Sequence, residues 1–142
     1  MRKDINASCK ALFISDDIDM CKLTELILER HRSDEVRCVS SYNEIYNAVE
    51  EKFDLIIVEF TLYIKANGHL DDGIDVYKRL RQIPAFQQIP VLLSRVPSPR
   101  QIYPIAKKLG IAGCIELVST TKELITARDA LVKGDTYYPQ LQ

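Results

Sequence analysis

Four consecutive branched apolar residues, Leu55-Ile56-Ile57-Val58, bracketed by Asp54 and Glu59, constrain this chain more than any other feature. A run this short and apolar, bounded sharply by charge, reads as a strand buried on both faces at the centre of a sheet. Ala11 to Ile14, halted by Ser15-Asp16-Asp17, has the same character, as does Val91-Leu92-Leu93 after Pro90. Glu35 to Val39 and Gly113 to Leu117 supply two further strands.

Between these runs the apolar period changes from two to about 3.6. Leu23, Leu26 and Ile27 mark a first helix. Ser41 caps a second, with Glu44 in the capping-box position and Tyr42, Ile45 and Val49 as its stripe. Ile74, Tyr77 and Leu80 mark a third, which Pro84 stops near Gln82. Ile102, Ile105, Ala106 and Leu109 form a fourth, opened at Pro97-Ser98-Pro99 and closed by Gly110. Leu124, Ala127, Ala130 and Leu131 line a fifth, ended by Gly134. Strands alternating with helices predict a doubly wound α/β sandwich, with five parallel strands and five helices. Residues 10–134 make the domain, after a polar segment 1–9 and before a tail, or start of a linker, at 135–142.

The 142 residues suit one compact domain. With 19 basic and 20 acidic residues there is no cationic excess, which argues against direct nucleic-acid or membrane-surface binding. No segment reads as a signal peptide or membrane span, so a cytoplasmic protein is expected. Cys9, Cys21, Cys38 and Cys114 form no CxxC pair and are expected to be reduced thiols, mostly in the core.

In an open parallel sheet, ligands sit at the carboxyl ends of the strands beside the point where strand order reverses. That selects Asp16, Asp17, Glu59, Ser94 and Leu117. In this order and spacing, Asp16-Asp17, DLIIVEF, IPVLLSR and GIAGCIELVSTTKELITARDALVKGDTYYP resemble the receiver domains of two-component signalling, most closely receivers that precede a helix-turn-helix output domain. The resemblance runs from Lys10 to about Tyr138 and implies the flavodoxin-like fold. It also implies a phosphorelay with a histidine kinase upstream, and a non-enzymatic protein that dimerises through its fourth helix, fifth strand and fifth helix.

By the same resemblance, Glu59 stands at the phosphoacceptor position and Ser94 at the phosphate-binding hydroxyl. Leu117 replaces the phosphate-pairing lysine, and Cys114 replaces the aromatic switch residue. Asp16, Asp17 and Glu59 are the candidate magnesium ligands, although no cofactor is required. Glutamate displaces the carboxylate by ~1.5 Å, and misplacement on that scale can cost about a hundredfold in rate. Lys122 is a poor substitute for the missing lysine. The segment TLYIKANGHLDD, residues 61–72, is an insertion beside the site, with turn residues at Asn67-Gly68 and Asp72-Gly73. These departures point to a degenerate receiver, an interaction module without standard aspartyl phosphorylation.

Structural readings compete at each position. Asp16-Asp17 suits a helix N-cap, Glu59 a solvated carboxylate, Ser94 a hydroxyl that satisfies a strand end. His31, His69 and Arg100 read as surface groups and Tyr137-Tyr138 as packing. Arg95 reads as a surface charge that also brings a cation next to Ser94. One alternative is an ordinary response regulator with an output domain beyond Gln142. Remoter ones are a flavin binder and a phosphatase of the haloacid dehalogenase type, built on Asp17-Ile18-Asp19 with Ser94.

Overall fold

The computed structural model describes residues 4–62, 64–66 and 68–141. Asn67, half of an expected turn, lies outside these, as do residues 1–3 and Gln142. Five parallel strands, β1 (Lys10–Ile14), β2 (Glu35–Val39), β3 (Leu55–Glu59), β6 (Val91–Val96) and β7 (Gly113–Glu116), pair in the order β2-β1-β3-β6-β7. Alternate residues of each strand face opposite sides. Leu12, Ile14, Ile56, Val58 and Leu93 enter one apolar layer, and Ala11, Phe13, Leu55, Ile57 and Leu92 the other. Ala11 apart, fully burying each of these side chains contributes about 1.5–3 kcal/mol.

Helices α1 (Ile18–Arg32) and α5 (Thr121–Val132) cover one face, and α2 (Tyr42–Asn47), α3 (Gly73–Leu80) and α4 (Pro99–Leu109) the other. Gly110 closes α4 at φ +86°, a left-handed conformation that favours glycine. Ser41 caps α2 as expected, but the Glu44 carboxylate accepts from Ser40 N and the Ser41 hydroxyl rather than from the cap residue's backbone N–H.

Three apolar stripes differ from expectation. In α1, Leu23 and Leu26 are exposed, while Thr24 and Leu28 are buried with Met20, Cys21 and Ile27 packed beside them. The helix is rotated by about one residue, because a buried threonine and a cysteine complete the true stripe. In α4, Ile105 is exposed and Tyr103 buried. In α5, Arg128 lies within the buried stripe.

The expectation of four reduced cysteines fails for one pair. Cys21 on α1 and Cys38 on the edge strand β2 form a disulfide, their Cα atoms 6.1 Å apart. A 17-residue separation with no motif hid the pair, which the packing of α1 along β2 creates. Cys9 and Cys114 are free and buried.

The insertion at 61–72 is not an open loop. Strands β4 (Ile64–Ala66) and β5 (His69–Asp71) pair antiparallel, and Leu62 and Ile64 enter the core. Buried Asp71 ties the hairpin down, accepting from Tyr42 Oη at 2.5 Å and Arg79 Nε at 2.8 Å. His69, read as a surface group, is largely exposed and also pairs with Asp71 at 3.2 Å. The tail also joins the sheet. Tyr137 N donates to Ala112 O and Cys114 N donates to Tyr137 O, both at 2.9 Å. A Cβ on Gly113 would lie 2.8 Å from Tyr137 O, so glycine admits the tail to the β7 edge.

Candidate functional site

Parallel strands deliver their last residues to one edge, and there β3 and β6 set Glu59 opposite Ser94 in register. The expected solvated carboxylate is a misreading, because Glu59 is only 2% exposed. An ionised group so buried must be paired and hydrogen-bonded. Ser15 Oγ makes a short hydrogen bond to Oε2, Thr61 Oγ1 donates to Oε1 at 3.4 Å, and Arg95 Nη1 donates to Oε1 at 2.7 Å.

Arg95 reaches this position through backbone geometry. The β6–β7 register is irregular between Leu93 and Val96, and Arg95 has φ 56°, uncommon for a residue with a side chain. A bulge of this kind re-aims a side chain that strict alternation would send to the other face. Arg95 is therefore the cation of the site rather than a surface charge.

The acidic pair divides. Asp17 caps α1, accepting from Asp19 N at 3.0 Å and Met20 N at 3.2 Å, and its second oxygen lies 3.6 Å from Arg95 Nη1. Asp16 is exposed and makes no hydrogen bond or ion pair among the described residues. Ser15 completes the corner, its Oγ also accepting from Asp17 N at 3.0 Å.

Asp16, Asp17 and Glu59 do not fit a magnesium ion. Both Glu59 oxygens are engaged, one Asp17 oxygen caps a helix, and a guanidinium already lies between Glu59 and Asp17. Magnesium demands near-octahedral oxygen coordination. No group of three or more His, Cys, Asp or Glu side chains among the described residues is placed to hold a metal. The Asp17-Ile18-Asp19 segment of the phosphatase alternative is folded as a helix start, with one Asp17 carboxylate oxygen accepting from the backbone of Asp19, itself an exposed residue in the first turn of α1.

Ser94 is buried, and its carbonyl accepts from Phe60 N at 2.8 Å. Leu117 follows β7 with its side chain exposed and brings no cation, while Lys122 is exposed in the first turn of α5. Cys114 is fully buried in the cluster that includes Tyr103, and burial pushes its thiol up to about 12. It cannot reproduce the swing of an aromatic ring between buried and exposed positions.

No family model matches the chain, and no curated protein matches it. Solved structures do. The non-phosphorylated receiver domain of the stress response regulator RcsB from Escherichia coli superposes with TM-score 0.78 at 17% identity, over 94% of this chain and 99% of that one. This chain has the receiver fold. The chemotaxis response regulator CheY4 of Vibrio cholerae shares that fold with TM-score 0.68 at 19% identity, over 84% and 95% of the two chains. A structure of two RcsB dimers bound to two parallel DNAs matches at 0.78 and 17%, over 94% of this chain, which spans 64% of that one.

Ser15 and Thr61 were missed as parts of the site. A serine before an acidic pair and a threonine two residues after a strand carry no chemical signature of their own. The pairing of Arg95 depends on a bulge that a run such as IPVLLSR does not announce.

Proposed function

We propose that this protein is a degenerate receiver, a non-enzymatic interaction and dimerisation module in signal transduction or transcriptional regulation that works without acceptor phosphorylation. The observation that carries the reading is the buried Glu59 carboxylate, already held by Arg95, Ser15 and Thr61. Phosphoryl transfer needs a free carboxylate oxygen in line with the leaving group and a cation at the incoming charge. Here the cation is spent on the carboxylate itself, so the acceptor is neutralised before any donor arrives.

The charge at Glu59 also lacks a reader, because Leu117 and Cys114 replace the groups that would sense it. We therefore favour a lost switch over a locked one. Dimerisation is assigned to the face formed by α4, β7 and α5. We place the protein in the cytoplasm, a compartment in which the Cys21–Cys38 disulfide is an uncommon feature; no described helix is long and apolar enough to cross a membrane.

The test is incubation with a radiolabelled small-molecule phosphodonor and magnesium. No label is expected on the wild type. Label that disappears in Glu59→Gln would overturn the reading. A triple change, Glu59→Asp, Arg95→Ala and Leu117→Lys, is expected to restore labelling if the rest of the site is intact. The match to DNA-bound RcsB dimers favours a second reading, a phosphorelay regulator whose output domain lies beyond Gln142. The gene sequence downstream decides that point.

A further inference from the structure

The Cys21–Cys38 disulfide sits in a domain of 142 residues, a size at which a hydrophobic core suffices and no covalent staple is called for. Structural disulfides belong mainly to small secreted domains, whereas those in the cytosol are usually transient, catalytic or redox-sensing. Both residues of the pair are half-buried, at the margin of the α1 layer, where a dissolved thiol has access. Cys9 and Cys114 are free and buried.

The bond joins two segments that converge on the Glu59 corner. Cys21 N donates to the carbonyl of Asp17, the residue that caps α1, at 3.0 Å. Cys38 precedes Val39, whose carbonyl accepts from Ser15 N at 3.0 Å. Ser15 Oγ in turn accepts from Asp17 N and donates to Glu59. The rest of α1 is attached unevenly. Toward its C-terminus, Leu28 is buried and Arg32 pairs with Asp129 of α5. Toward its N-terminus only Thr24 is buried, Ile18 and Leu23 are exposed, and Met20 is half-buried. The disulfide therefore fastens the end of the helix that packing holds least, and local opening starts where buried apolar contacts are few.

We propose that Cys21 and Cys38 form a reversible thiol–disulfide exchange site for a low-molecular-weight thiol such as glutathione, and that its state sets how firmly the first turns of α1 hold Ser15 and Asp17 at the Glu59 edge. A thiolate of the co-reactant attacks one protein sulfur, and the other departs as a thiolate and takes up a proton. A second thiol attacks the mixed disulfide, releasing the second protein thiol and the co-reactant's own disulfide. Two electrons pass to the protein, and the reverse sequence restores the bond. The pair joins α1 to β2, the sheet edge opposite β7, and does not depend on whether Glu59 accepts phosphate.

The test equilibrates the full chain in glutathione buffers from cytosolic to secretory poise, traps free thiols by alkylation and reads the cysteine peptides by mass spectrometry. Cys21 and Cys38 are expected to pass from free to bonded within that range, with Cys9 and Cys114 free throughout as the internal reference. Amide exchange is then compared between the two states. Reduction is expected to speed exchange at Ser15 and Cys21 by about tenfold or more, leaving Ile56 to Val58 unchanged. It is also expected to lower Tm by about 10 °C, as freeing a loop set by a separation of 17 residues implies. Cys21→Ser is expected to match the reduced protein and to ignore glutathione; the reduced wild type carries the comparison if that variant does not fold.

A pair that is bonded, or free, at every glutathione ratio overturns the exchange site. So does a bond that forms only between two chains, seen as a covalent dimer on a non-reducing gel. Reduction that lowers Tm without faster exchange at Ser15 overturns the coupling to the Glu59 edge. Label transfer to Glu59 would defeat the degenerate-receiver reading and leave the redox result standing.

Discussion

The two ends of the central sheet each bury a carboxylate against an arginine, yet they treat the pair differently. At the carboxyl edge, Glu59 is 2% exposed, but the Arg95 side chain keeps 30% of its surface in solvent. At the amino edge, Asp34 and Arg128 are both essentially inaccessible, at 1% and 0%. Arg128 grips Asp34 through Nε at 2.9 Å and Nη2 at 2.7 Å, and binds the carbonyls of Ile5 at 2.5 Å and Ala7 at 2.8 Å and the Asp129 carboxylate at 3.0 Å. Asp34 in turn accepts from Cys9 N at 2.8 Å, and Asp129 pairs with Arg32. One arginine thus ties the segment before β1 and the turn before β2 to α5. The contrast separates a structural clasp, saturated with partners, from a half-open pair at the carboxyl edge of the sheet that is merely neutralised.

The sharpest way to break the comparison is Arg128→Ala. It strands a buried Asp34 and two backbone carbonyls, and removing one partner of such a pair costs about 3–5 kcal/mol. Urea unfolding should show a midpoint shift of that size. Arg95→Ala leaves Glu59 with two hydroxyl donors and a nearby solvent path, so its expected cost is smaller, about 2 kcal/mol, the worth of a hydrogen bond to a charged group. Equal losses at the two ends would remove the distinction.

Acid titration sharpens it. Burial alone would raise the Asp129 carboxyl, but hydrogen bonds from Arg32 and Arg128 outweigh burial and hold it below 3.8. A lowered folded-state value gives stability that is fully present above the ordinary carboxyl range and lost as pH falls through the folded value. Tm measured from pH 5 downward should therefore fall less steeply in Asp129→Asn than in the wild type. The smallest effect is expected from Glu59→Gln combined with Arg95→Met. Replacing both members of a buried pair is often close to neutral, here within about 1 kcal/mol. The corresponding double change at Asp34 and Arg128 should remain destabilising, because the Ile5 and Ala7 carbonyls still lose their donor.

The sequence made the scaffold legible because strand burial is a local property. Leu55 to Val58 is so apolar that no other placement hides it, and Gly110 and Pro84 stop helices wherever they fall. The edge at which the site forms was legible for the same reason, since chain direction alone brings Asp17, Glu59 and Ser94 together. The state of the site was not. Whether Glu59 is solvated or clamped depends on a bulge at Arg95, and whether α1 turns Leu23 or Thr24 inward depends on what β1 and β2 offer. Arg128 was hidden more completely, because a charged residue within an apolar stripe looks like the edge of the stripe until Asp34, 94 residues away, arrives to meet it.

The tail has a mechanical consequence. Its backbone is bonded to β7 on both sides of Gly113, and Tyr138 is wedged edge-on against Tyr103 at 5.7 Å with its hydroxyl on Ile111 O. A load applied at the C-terminus is therefore borne first by the strand and helix that carry Glu116 and Tyr103, not by a slack leader. Tension there would strain the α4–β7 seam before it reached the Glu59 edge.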